Sequence, residues 1–232
     1  MKRILRGYTA FLLEHHPVRL VTLGYLTYVV IGWILLSCPF THAGKGATPL
    51  DALFTACSAV STTGLVTVST GNDFNLLGQV VILVLIQLGG IGYMTFGSFV
   101  ILSRTGILPE HCRKIGLTVF SLPQEFRIDK FIRSVMLFTV LTEATGTLAL
   151  YPAFVRAGLP TPLWSAIFHS ISAFCTAGFS LYDTSFEALR GNLAVNAILG
   201  ALSYLGAMGF IVFVDAWRRL TGKTKAMTLT SR

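Results

Sequence analysis

The sequence predicts an all-α integral membrane fold built from two tandem membrane–pore–membrane repeats in the same orientation, and three observations carry that prediction. Hydrophobic residues make up 53% of the 232 and charged residues 12%, with a mean hydropathy of +0.69; a soluble domain is about one quarter charged. The apolar residues gather into four long runs, Val18–Ser37, Leu76–Leu102, Ile132–Val155 and Asn192–Trp217, and each reaches the ~20 residues that carry a helix across a bilayer. Finally, the chain repeats. A shift of 114 positions lays Asp51–Phe99 over Ser165–Phe213 without a gap, pairing Phe54 with Phe168, Ser58 with Ser172, Thr62 with Thr176, Gly64 with Gly178 and Gly92 with Gly206. The same offset pairs Gly32 with Gly146 upstream. One structural unit used twice works around a pseudo-symmetry axis.

Lys2, Arg3 and Arg6 precede the first run as they would in a secretory signal. The run is too long for one and its counterpart lies mid-chain, so it is read as a retained span. The repeat units are 1–115 and 116–232, the second ending in a cytoplasmic tail. Each unit holds two spans, and an even number keeps successive units parallel, related by an axis along the membrane normal rather than by inversion. Fifteen of the 18 Lys and Arg residues lie in residues 1–19, in segment 103–133 or beyond Trp217, while Lys45, Arg156 and Arg190 lie on the other side. This positive-inside pattern places both termini and the 103–133 linker in the cytoplasm. It also removes nucleic acid as the reason for the net charge of +8. The expected location is the cell membrane, crossed several times.

Two apolar segments between the spans are too short to cross. Pro49–Ser61 and Pro162–Cys175 amount to ~20 Å of helix each. Each opens on a proline suited to a first helical turn and stops just before a Thr-x-Gly. Both are flanked by extracellular loops, so the chain enters the membrane, turns near mid-depth and returns. Irregular backbone at that depth is tolerated only where protein encloses it or where it lines a water-filled path, so the turns are expected to face a pore. Thr62, Thr63, Gly64 and Leu65 form the first turn, and Thr176, Ala177, Gly178 and Phe179 the second. Glycine admits the backbone conformations that let successive carbonyls point one way. A row of such carbonyls replaces the hydration shell of a monovalent cation. The half-length helix before it aims its negative end at the same place.

Other polar residues in the apolar runs have competing roles. An unpaired acid facing lipid is costly, so Glu143, deep in the third run, is either an interior carboxylate that attracts cations or ties helices together, or a structural group hydrogen-bonded to the pore-helix backbone, and the second reading is the favoured one. Gln87 is expected to bond a neighbouring helix rather than line a cavity. Gly89, Gly90, Gly92 and Gly97 are expected to permit close helix packing. His169 has no Cys, His or carboxylate at ligand spacing, so packing or capping is expected rather than metal binding. Asp73, Asp183 and Glu187 are extracellular acids that either concentrate cations or are solvated loop charge. Cys38, Cys57, Cys112 and Cys175 show no paired spacing and are read as small apolar residues. No catalytic dyad or Gly-rich phosphate loop occurs, so no enzyme is expected, and no bound cofactor.

Three stretches resemble the Trk/Ktr/HKT superfamily of potassium transporters, and above all its Ktr-type membrane subunits. SAVSTTGLVTVS (58–69) is similar to the family's first pore loop and GQVVILVLIQLGGIGYMTFGS (78–98) to the helix after it. FHSISAFCTAGFSLYDTSF (168–186) is similar to the second pore loop, and Leu141–Gly146 to a Glu–Gly element of the second unit. The resemblance implies K+ uptake across the cell membrane, coupled to Na+ in some members, with Gly64 and Gly178 as the key filter glycines. It implies a cytoplasmic nucleotide-binding regulatory subunit, for which the 103–133 linker and the Arg218–Arg232 tail are the candidate docking surfaces, and a homo-oligomer, a dimer of membrane subunits. The family fold has four units around one pore, and this chain carries two. Cys175 also stands where the family more often has a polar residue. The alternative expectation is therefore a split or truncated half, or a fragment of a longer polypeptide, that conducts only with complementary or full-length subunits.

Overall fold

The computed structural model of the chain describes residues 17–92, 95, 102 and 128–208. The unit boundary at 115/116, the linker up to residue 127, Cys112, Gly97 and the Arg218–Arg232 tail lie outside the described residues. Six α-helices occur among the described residues: α1 (Pro17–Leu36), α2 (Pro49–Val60), α3 (Leu76–Ile91), α4 (Ile128–Arg156), α5 (Pro162–Phe174) and α6 (Leu193–Ala207). Two short 3-10 turns, Pro39–Thr41 and Glu187–Leu189, sit in the connections.

The expected half-length helices are α2, 12 residues long, and α5, 13 residues long. Prolines open both, and α2 is further closed at its N-terminus by a reciprocal cap: Thr48 Oγ1 accepts the Asp51 N–H at 3.2 Å while Asp51 Oδ2 accepts the Thr48 N–H at 3.1 Å. Asn75 and Asn192 cap α3 and α6 in the simpler way, accepting from Gly78 N–H at 3.1 Å and Val195 N–H at 3.2 Å.

Among the four predicted spans, α4 is the one described helix long and apolar enough to cross a membrane, over Lys130–Arg156. The first run matches α1 closely. The second differs from expectation: the Leu76–Leu102 run does not continue as one helix, because Gly92 takes φ 82° and ends α3 at Ile91. A left-handed residue breaks the i→i−4 ladder, and the LGGIG stretch supplies the residue that tolerates it. The described part of the fourth run, α6, covers 15 residues.

Within each repeat the short helix lies between its two longer partners, α2 against α1 and α3, and α5 against α4 and α6; α3 also packs on α5. That last contact joins the repeats, and one core cluster accordingly contains Ala56, Val60, Ile82 and Ile86 from the first together with Phe168, Phe174, Ala177 and Phe179 from the second. Small residues set the approach. A Cβ on Gly32 would meet Leu85 and Ala56, and one on Gly146 would meet Leu202 and Ser170, so equivalent glycines let equivalent helices close on the short one. Gly89 and Gly90 serve the same purpose in α3. A Cβ on Gly89 would press on the Val60 carbonyl, and one on Gly90 would lie 2.7 Å from the Cβ of Cys175.

Because the Val60 carbonyl is backbone and cannot swing aside, Gly89→Ala is expected to destabilise the fold by ~1–3 kcal/mol. At Gly200, also helical, an added Cβ would meet nothing within 4 Å, so Gly200→Ala is expected to be neutral or to stabilise by up to ~1 kcal/mol. Thermal unfolding of the two purified variants separates these outcomes; equal midpoints would contradict the packing just described.

Candidate functional site

The two short helices end alike. At the first, the Thr62 N–H donates to the Ala59 carbonyl at 3.2 Å and the Thr63 N–H to the Ser58 carbonyl at 2.9 Å. At the second, the Thr176 N–H donates to Ala173 at 3.0 Å and the Ala177 N–H to Ser172 at 2.8 Å. This is the Schellman closure, which requires a left-handed residue one position past the cap. That residue is ordinarily glycine. Here it is Thr62 at φ 51° and Thr176 at φ 53°. A β-branched residue in that region is strained by ~1–3 kcal/mol, and the surrounding hydrogen bonds hold it there. Each threonine hydroxyl donates back to the preceding carbonyl, Thr62 Oγ1 to Ser61 at 2.8 Å and Thr176 Oγ1 to Cys175 at 2.7 Å.

Two residues on, Gly64 and Gly178 return to positive φ, 78° and 73°. Thr63 and Ala177 between them do not. The turns use up amide hydrogens and leave oxygens over: the carbonyls of Thr62, Thr63, Gly64, Thr176, Ala177 and Gly178 accept no hydrogen bond among the described residues. The two loops meet at their glycines. A Cβ on Gly64 would lie 3.0 Å from Gly178 Cα and closer still to the Ala177 carbonyl oxygen. All eight predicted site residues therefore fall on two matched turns that touch each other.

Their surroundings differ. Ala177 and Phe179 are buried against the first repeat, whereas Thr63 and Leu65 are exposed. The second loop is tied to its own helix: Ser172 Oγ donates to the Phe179 carbonyl at 2.8 Å, and His169 Nε2 accepts the Leu181 N–H at 3.2 Å. In the first repeat the corresponding Ser58 and Thr55 hydroxyls are buried and bond nothing among the described residues. There the outgoing strand is held at its exposed end, where Thr67 Oγ1 donates to Asp51 Oδ1 at 2.8 Å. Hydrogen bonds from Thr48 and Thr67 keep the Asp51 carboxyl below the ordinary carboxylate range. Their contribution is complete above that range and fades only as the pH falls through the lowered value.

The family model for TrkH, described as a cation transport protein, matches residues 25–231. The chain belongs to the TrkH family. Among curated proteins it is 32% identical to the potassium/sodium uptake protein NtpJ of Enterococcus hirae, over 93% of this chain and 48% of that protein. It is 35% identical to the Ktr system potassium uptake protein B of Bacillus subtilis, over 90% of this chain and 47% of that protein. For the protein of the same name in Vibrio alginolyticus the figures are 36%, 86% and 44%. The chain spans about half the length of the curated relatives it matches. It is thus a member of a membrane transporter family and not an enzyme.

Beside the loops, this TrkH-family chain carries polar ties between its repeats. Glu143 on α4 is buried, and its carboxylate accepts from Gln87 Nε2 at 2.8 and 3.0 Å. Gln87 Oε1 in turn accepts from Cys175 Sγ at 3.4 Å. The Glu143 carboxylate thus ties helices of the two repeats and does not bond the pore-helix backbone as favoured, because Gln87 lies within reach; the short helix is reached through the Glu143 carbonyl, which accepts from Ser170 Oγ at 2.8 Å. Gln79 forms a second tie, accepting from Trp164 Nε1 at 2.6 Å and donating to the Phe74 carbonyl at 2.9 Å. In the segments that leave the two turns, Asp183 accepts from Ser69 Oγ and, at 2.8 Å, from Asn72 Nδ2, while Asp73 Oδ2 accepts the Ser69 N–H at 2.8 Å. Asp183 therefore joins the two repeats and Asp73 braces the first repeat's own loop, while Glu187 is exposed loop charge. Among the described cysteines, Cys175 is buried, but Cys57 is exposed.

Sequence reasoning did not find the anchoring roles of His169, Ser172 and Gln79. Asp51 alone carried a local signal, the Thr48-Pro-Leu-Asp51 capping pattern.

Removing one member of the Glu143–Gln87 pair strands the other, so Gln87→Leu is expected to destabilise the fold by ~2–3 kcal/mol. Combined with Glu143→Leu it should cost less than the two single changes added together, because neither polar group is then left unpaired. Additive costs in a thermal double-mutant cycle would show that the two side chains are not energetically coupled.

Proposed function

We propose that the chain supplies two of the loops of a potassium-uptake pore in the cell membrane. In this reading units 1–115 and 116–232 are parallel membrane–pore–membrane repeats with four transmembrane helices, α2 and α5 are re-entrant pore helices, and both termini lie in the cytoplasm. K+ is coordinated by Thr62, Thr63, Gly64 and Leu65 and by Thr176, Ala177, Gly178 and Phe179. The observation that carries the reading is the twinned row of carbonyls that the Schellman closures leave without donors, since oxygens in that state can replace water around a monovalent cation. The half-helices contribute the negative ends of their dipoles. Phe179 differs from the rest because its carbonyl already accepts from Ser172.

Both K+ and Na+ are candidate cargo, as the name of the E. hirae relative suggests. The likeness to Ktr system potassium uptake proteins supports two kinds of partner, a second membrane subunit in a dimer and a cytoplasmic nucleotide-binding regulatory subunit.

One observation favours a second reading, in which the chain acts only when complementary or full-length subunits complete the ring. A cavity of about 280 Å³ lies beside the second loop, bounded by Thr176, Gly178, Leu199 and Ser203. The equivalent place in the first repeat, beside Gly64 and Gly89, is where the second repeat's loop packs. The cavity has the position of a seat for one more loop.

The test is K+-limited growth of a host lacking its own K+ uptake systems. Under the first reading this chain alone restores growth. Under the second, growth returns only when the C-terminal half of the B. subtilis relative is co-expressed. In whichever arrangement grows, Gly64→Ser and Gly178→Ser should each reduce K+ uptake about tenfold or more, since each puts a side chain on a left-handed backbone strained by ~1–3 kcal/mol. Membrane-inserted protein that restores growth in neither arrangement, or serine variants that transport normally, would refute the filter.

A further inference from the structure

We propose that His169 is a positioning residue that clamps the outgoing strand of the second loop, so that the second loop is the stiff one of the pair and the first is compliant. The mechanical claim stands on hydrogen bonding alone; its bearing on cation selectivity rests on the pore reading above.

The ring is fully placed by its partners. The Ser165 carbonyl, one turn back on α5, lies 2.7 Å from Nδ1. A carbonyl only accepts, so Nδ1 carries the hydrogen. Nε2 faces the Leu181 N–H at 3.2 Å. An N–H only donates, so Nε2 offers its lone pair and the imidazole is neutral. Ser180 Oγ lies 3.1 Å from the same nitrogen and itself accepts the Tyr182 N–H at 3.1 Å. One side chain thus spans from the short helix to three consecutive residues of the strand that leaves the loop.

Packing holds the ring in that pose. His169 is 1% exposed. It stacks on Tyr182 at 5.0 Å between centroids and meets the edges or faces of Phe186 at 4.7 Å, Phe168 at 5.7 Å and Phe154 at 5.9 Å. Ser172, one turn on along α5, holds the Phe179 carbonyl. Residues 179–181 are therefore hydrogen-bonded to the helix that the loop caps, Tyr182 stacks on the same ring, and the loop is fixed at both ends.

The first repeat lacks the device. Thr55 occupies the position of His169, is 1% exposed, and its hydroxyl reaches no partner among the described residues. Its outgoing segment is held farther from the turn, by the exposed Thr67 on the half-buried Asp51 and by Ser69 on Asp73 and Asp183. A buried clamp is shielded from competing water, whereas an exposed one is not.

Two isosteric halves of histidine test the assignment. Asn presents a donor near Nδ1 but cannot reach the strand, while Gln can present an acceptor near Nε2. Hydrogen–deuterium exchange of the purified chain in detergent, without K+, reads the strand directly. His169→Asn should exchange about five- to tenfold faster than wild type across 178–183, as for loss of a hydrogen bond, with 64–69 unchanged. His169→Gln should return 178–183 towards the wild-type rate. Equal acceleration of both segments would mean a merely structural residue. No acceleration in the Asn variant, or no recovery in the Gln variant, would also overturn the clamp. Should His169→Asn fail to fold, Ser180→Ala carries the same test, with faster exchange confined to 178–183 as the expected result and none, or acceleration of both segments, as the overturning one. A parallel wild-type sample with added K+ reports on the pore reading separately: protection of both loops supports it, and its absence counts against K+ binding while leaving the K+-free comparison intact.

Discussion

Backbone oxygens that are left over govern this fold. A helix that stops where water is excluded must find partners for its last carbonyls within the protein. The Schellman closures at Thr62 and Thr176 solve this for carbonyls 58, 59, 172 and 173, and in doing so they turn the next carbonyls away from any donor. The same few hydrogen bonds thus satisfy the helix end and create a polar surface beyond it. The remaining features serve that arrangement. Prolines and the Thr48–Asp51 cap start the helices at a fixed point, Gly32 and Gly146 bring neighbouring helices onto them, and Gly89 lets α3 approach the closure itself. Threonine at a left-handed position is uphill locally. It persists because helix, loop and neighbouring repeat over-determine it.

Much of this could be read from the chain. The 114-residue register pairs Thr62 with Thr176 and Gly64 with Gly178 on sequence alone, and the backbone shows the same left-handed conformation at both members of each pair. The half-length helices were legible from their prolines and their Thr-x-Gly ends. What escaped were the relations between side chains distant in sequence. Glu143 and Gln87 lie 56 positions apart, and nothing local to either names the other. His169 looked like a lone ring because its partners on the far side belong to a strand that returns only after the turn. The break at Gly92 was hidden inside an uninterrupted apolar run, where hydropathy is blind to a dihedral angle.

The departures from symmetry are as informative as the symmetry. The shared scaffold is the helix, its closure and the glycine two residues on. The supports around it have diverged, with His169 and Ser172 on one side and Thr55 and Ser58 on the other. The tie between Gln79 and Trp164 has the same character. At the equivalent positions stand Leu193 and Leu50, both largely exposed, so the junction within the chain is polar where its outward-facing counterparts are apolar.

Ser69 and Asp183 bear on how such a molecule keeps its order. They occupy one and the same position of the repeat, 114 residues apart, yet they touch. With identical residues this contact would differ: two aspartates would repel, and two serines would offer Asn72 a neutral hydroxyl in place of a carboxylate. This bond to a carboxylate exists only because the copies differ, and it has a direction, since the first copy donates and the second accepts. A chain with its halves exchanged would carry the acceptor first and the donor second. Divergence at a single duplicated position thus acts as an arrow along the chain, and two interchangeable modules become a leading and a following one.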